Sequence, residues 1–129
     1  MNRRIDIRRS NGQTMVEFVL VLPILMLVLF AIIQFGLTFT HYVALTDAVR
    51  AGARTAATSR LSATRDADIK TKVTSSSDGL ITTNSITVTS TWQHGTDVQV
   101  KATVPYSIGL LGLVIASGNL SSTTTERVE

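Results

Sequence analysis

From Phe18 to Phe39 the sequence reads FVLVLPILMLVLFAIIQFGLTF, with no charged side chain and only Pro23, Gln34, Gly36 and Thr38 interrupting its apolar character. A helix of ~20 apolar residues matches the ~30 Å hydrocarbon core of a bilayer, so this run constrains everything around it. Backbone N–H and C=O groups in lipid must be paired within their own segment, and the helix is the form that pairs them. A core helix buried on every side is the competing arrangement. It would need protein all round it, and only about ninety residues remain to supply that cover. The expected layout is a basic leader over 1–12, a transmembrane helix over 13–39, its extracytoplasmic continuation over 40–60, and a small α+β domain over 61–129. With 129 residues there is room for one compact domain beside one membrane segment.

The formal charge of +3 would suggest an acidic partner if it were spread over the chain. It is not. Arg3, Arg4, Arg8 and Arg9 against Asp6 give the first twelve residues all of that excess, and from Gln13 onward eight basic and eight acidic residues balance. Basicity confined to the flank of an apolar run is a topology signal rather than a nucleic-acid footprint. Thr40, His41 and Tyr42 on the other flank carry no fixed charge, so the positive-inside rule places the N-terminus in the cytoplasm and the bulk of the chain outside the membrane. A secretory signal typically has a shorter apolar region, ~7–15 residues, ending in a small-x-small site. Here the first such triplet is Ala51-Gly52-Ala53, well beyond the run, which makes release by signal peptidase the weaker reading.

The sharpest local pattern is Gly12-Gln13-Thr14-Met15-Val16-Glu17, in which Glu17 is the one ionisable residue between Arg9 and His41. A charge at the centre of a bilayer costs about 2.5–3.5 kcal/mol on insertion scales, less near the edge, and such residues usually have a partner or a role. Cutting the chain after Gly12 would expose the amine of Gln13 one helical turn from Glu17, on the same subunit or a neighbour. In low dielectric the two would attract strongly and set an axial register between helices. The plain alternative is that Glu17 snorkels to the headgroup region.

These residues carry a resemblance. A short basic leader, a glycine, a glutamate five positions later and a long apolar helix are similar to the class III leader of prepilins. The run GQTMVEFVLVLPILMLVLFAIIQFG resembles the start of TadE-like proteins, and Ala44 to Arg54, ALTDAVRAGAR, looks like a second stretch of that family. The resemblance implies that Gly12 and Gln13 flank a prepilin-peptidase scissile bond and that Glu17 serves processing or assembly. It implies a pseudopilin or minor-pilin-like subunit of the Tad (tight adherence) pilus, seated in the bacterial inner membrane. The implied partners are the peptidase, pilins and other Tad components such as a TadF-like protein. Many type IV prepilins have phenylalanine at the first mature position where this chain has Gln13, which argues against a major type IV pilin. The short major pilin of the Tad system lacks an outer domain of this size.

Beyond the apolar run, Leu45, Ala48, Gly52 and Ala56 recur at helical spacing and make a stripe of mostly small side chains. Such a stripe admits close approach by another subunit's helix or by the chain's own sheet, and both occupants remain open. Asp47 and Arg50 stand at i,i+3, the spacing of a surface ion pair. One helix from about Thr14 to Ser59 would be ~70 Å long at ~1.5 Å per residue, twice the membrane thickness. Pro23 is a place for it to kink.

Ala63, Ala67, Ile69 and Val73 predict a short helix that Ser75-Ser76-Ser77-Asp78-Gly79 ends. Ser85 to Trp92 alternates polar and apolar residues, Gln93 to Asp97 turns the chain, and Val98, Val100, Ala102 and Val104 alternate again, predicting an antiparallel hairpin with one buried face. Pro105 is expected to end the second strand. Ile108 to Ala116, apolar but too short to span a bilayer, is expected to pack beneath the sheet, with the membrane surface as the alternative. Leu120 to Val128 is expected to add a last strand.

No catalytic constellation emerges. There is no cysteine, hence no disulfide or thiolate chemistry. His41 and His94 lie far apart without ligand spacing, and zinc wants three or four ligands, so no metal site is expected. A phosphate loop and a nucleophile elbow are absent from the sequence. The chain reads as a peptidase substrate rather than an enzyme, with no cofactor, nucleic acid or small-molecule substrate. A different class of function, an anchored extracytoplasmic binding module, would keep residues 1–12 and make Gly12 and Glu17 dispensable.

Overall fold

The computed structural model describes residues 7–110 and 112–129. The apolar run lies within one α-helix, α1, Ile7–Thr58, which starts ahead of the expected Thr14 and carries Pro23 inside it. From Gly12 to Ile33 every residue is exposed. No part of its most apolar stretch is buried within the protein, so the core-helix alternative is gone. Bare apolar surface in water costs roughly 25 cal/mol per Å², and lipid is the solvent that removes the penalty. The helix therefore supports single-pass membrane anchoring.

The described chain falls into two units, one ending at Gly36 and one running from Leu37 to Glu129. In the first, the described residues are all helical. The second unit has the α+β architecture expected, with an antiparallel sheet in the order β1-β2-β3. It comprises the last part of α1, a second helix α2 (Arg65–Ser76), a single 3-10 turn (Thr83–Ser85), and strands β1 (Ile86–Ser90), β2 (Asp97–Leu110) and β3 (Leu113–Arg127).

Why these residues make these elements follows from period and capping. Helix α1 ends where hydroxyls begin to compete for backbone carbonyls: Thr58 Oγ1 donates to the carbonyl of Thr55 at 3.2 Å. Helix α2 opens with Asp66 and Asp68, which complement the positive end of its dipole, and it buries Ile69 and Val73, one turn apart. The buried Ser77 closes it, donating to the Thr74 carbonyl at 2.8 Å and accepting from the Ile81 amide at 3.2 Å. Asp78 and Gly79 then turn the chain with positive φ. In β2, Val98, Val100, Ala102 and Val104 are buried and alternate with Gln99, Lys101 and Thr103 outside, the period of a half-buried strand. The core joins these to Leu45, Ala48, Val49, Ala53 and Ala56 of α1, Ile69 and Val73 of α2, and Ile81, Ile86 and Val128.

Two expectations are corrected. Pro105 does not end β2: it pairs with Asn119 in a ladder that continues to Leu110 opposite Leu113. The last β1–β2 pair is Ile86 with Ala102, so Pro105 lies where β2 has one open edge, a position at which a strand tolerates a missing N–H. Ile108 to Ala116 does not pack beneath the sheet either. It is the far end of the β2–β3 ribbon, where Leu113, Val114 and Ile115 stand 74%, 67% and 65% exposed. A register shift at Ile108/Gly109 bends the ladder just before that end.

Candidate functional site

Gln13 and Glu17 face one another on adjacent turns of α1, with Gln13 Nε2 donating to Glu17 Oε1 at 3.2 Å. Both side chains are exposed. The helix thus brings together the two positions that the leader pattern singles out. A Cβ on Gly12 would stand in open space, so packing does not ask for glycine there. Glycine in a helix interior costs about 1 kcal/mol relative to alanine, so Gly12 is a weak point in α1 directly before Gln13. The arginines Arg3 and Arg4 and residue Asp6 lie outside the described residues.

The stripe Leu45, Ala48, Gly52 and Ala56 is fully enclosed within its own unit: all four are buried, Leu45, Ala48 and Ala56 to 0% exposure. Of the two occupants left open by the sequence, the chain's own α2 and sheet fill this face. Gly52 marks the tightest point, since a Cβ there would come within 2.2 Å of Val73 Cγ2 and 3.7 Å of Val100 Cγ1. Asp47 and Arg50 form the expected i,i+3 ion pair at 3.5 Å, with side chains 61–66% exposed, where a pair is worth ~0–1 kcal/mol.

The histidines occupy separate places. His41 borders a shallow depression of about 390 Å³ with Thr40, Ala44 and Ser77 to Leu80. His94 borders another of about 490 Å³ with Arg54, Glu126, Arg127 and the C-terminal residues. Among the described residues no group of three or more His, Asp or Glu could hold a metal. One contact had no signal in the sequence: the Arg65 guanidinium lies 4.6 Å from the ring centroid of Trp92, tying α2 to the β1–β2 turn.

Comparison with known families bears on the same stretch of α1. Residues 12–54 match the family model described as TadE-like protein. Over that stretch the chain is similar to that family. The match starts at Gly12, includes Gln13 and Glu17, and ends at Arg54, so it takes in Leu45, Ala48 and Gly52 and stops short of Ala56, α2 and the sheet. The TadE-like family is one of pilus assembly. Neither the curated proteins nor the solved structures contain a match.

Proposed function

We propose that the protein is a pseudopilin-like subunit for Tad pilus assembly, anchored in the bacterial inner membrane with its N-terminus in the cytoplasm and Leu37–Glu129 outside. A prepilin peptidase cuts it after Gly12, and its helix then associates with pilins and other Tad components, a TadF-like protein among them. The observation that carries this reading is the Gln13–Glu17 contact at the entrance of a lipid-facing helix. Before cleavage the amide of Gln13 occupies the carboxylate. Removal of residues 1–12 creates an ammonium group on the same turn, a stronger partner for Glu17 in a medium of low dielectric.

The scissile bond lies inside α1, and a peptidase needs the backbone extended, so the helix must fray locally before the cut. Gly12 lowers the helix propensity at that point, within the first two turns of the described helix.

The test is a pair of substitutions at one position. Glu17→Val is expected to insert into the membrane normally but to lose processing or piliation, because it removes the acid without disturbing the apolar run. Glu17→Gln is expected to be processed and to assemble poorly, because it keeps the contact with Gln13 but not the charge. Normal piliation with both variants would contradict the role assigned to Glu17 and favour an anchored binding module.

A further inference from the structure

We infer that Gln13 is a self-modification site of the processed chain and that Glu17 holds it in check. Freed by the cut, the Gln13 amine can close onto its own side-chain amide and expel ammonia, and the contact with Glu17 keeps that ring open. The inference rests on the reading of Gly12 and Gln13 as the cleavage site, and deepens it by giving Glu17 a second, protective part.

The ring follows from the residue type. In an N-terminal glutamine the amine nitrogen, Cα, Cβ, Cγ and Cδ close a five-membered lactam with no other reactant. The nitrogen's electron pair forms the N–Cδ bond, the Cδ–Nε2 bond breaks, and Nε2 leaves as ammonia with the proton that the ring nitrogen gives up. Nothing is oxidised or reduced. The product is an amide nitrogen without charge, so closure takes away the ammonium that the cut would supply to Glu17.

Glu17 stands against that step in two ways. Gln13 Nε2, the group that would leave, donates to Glu17 Oε1 at 3.2 Å. Glu17 lies one turn further along α1, ~6 Å toward the C-terminus, whereas the attacking nitrogen is on the N-terminal side of Gln13. The contact therefore draws Cδ away from the nitrogen it must meet. Both side chains are exposed, so it is this hydrogen bond rather than packing that orients Gln13. A carboxylate accepts at about four lone-pair sites, which lets Glu17 hold Nε2 and the new ammonium together. An ammonium bound there is charge-assisted and has no electron pair with which to attack.

The test follows the mass of the N-terminal peptide. In one arm the full chain is isolated from its native membrane, which reads where it begins. In the other, residues 1–12 are replaced by a carrier cut in vitro directly before Gln13, so that freeing the amine does not depend on Glu17, and the chain is kept in vesicles of phosphatidylcholine and phosphatidylglycerol at neutral pH. Glu17→Val is expected to lose ammonia several-fold faster than the unaltered chain. Met15→Glu combined with Glu17→Val keeps an acid but sets it two residues from Gln13, off its face of the helix, and is expected to close as fast as Glu17→Val. Equal rates with and without Glu17, or a slow rate restored by the acid at 15, would overturn the protective contact and leave the cleavage site standing. So would a native chain that begins at residue 13 already wholly closed. A native chain that begins at Met1 would overturn the cleavage reading and this inference together.

Discussion

Gly52 has no room for a side chain. A methyl group there would meet Val73 Cγ2 at 2.2 Å, and Val73 is a β-branched residue with 0% exposure and few rotamers to retreat to. Gly52→Ala would gain about 1 kcal/mol of helix propensity and lose about 1–3 kcal/mol to overpacking. A net loss of stability on chemical denaturation in detergent is expected, and Gly52→Ala combined with Val73→Ala should lose less than the two separate losses added. The stripe that includes Gly52 was legible in the sequence, but its occupant was not. Helical spacing says which residues share a face, whereas what covers the face depends on residues far along the chain. Glu17 is the opposite case. An acid at the edge of an apolar run demands an account from sequence order alone, and the contact with Gln13 is a matter of one helical turn.

Elements differ in what they need from their side chains. Helix α2 is held by Ile69 and Val73, both buried, and by Arg65 over Trp92. Ile69→Ala is expected to cost about 2–5 kcal/mol, whereas Leu113→Ser at the bare end of the ribbon should change stability in detergent by no more than about 0.5 kcal/mol. Thermal or denaturant unfolding followed by circular dichroism would read both, and a comparable loss from Leu113→Ser would mean that the ribbon's end packs on the protein. The first hairpin was readable because Val98 to Val104 alternate with the strand period. The continuation of β2 was not, because proline argues against a strand until one knows that β1 has already ended at the pair Ile86–Ala102. Strand β3 announced itself only in part: Ser121 to Thr125 carry no apolar alternation, since β3 is an edge strand whose inward positions face the core rim and are half-buried.

At the scale of the molecule, the two units answer to different solvents. Leu37–Glu129 has a core drawn from two helices and the strands β1 and β2, with Leu120 of β3 packed against it, and a chain shortened to 37–129 is expected to keep that core and unfold in one cooperative transition in mild detergent. Loss of the sheet signal on shortening would show that the core depends on residues before Leu37. The apolar run, by contrast, buries nothing of its own and is stable only where lipid covers it. The central claim is that this lipid-facing helix is trimmed at its cytoplasmic entrance so that Glu17 acquires a cationic partner. Intact-mass and N-terminal analysis of the protein extracted from its native membrane tests that claim most directly. A polypeptide beginning at Gln13 is the predicted result, while one beginning at Met1, or near residue 54 in the soluble fraction, would contradict it.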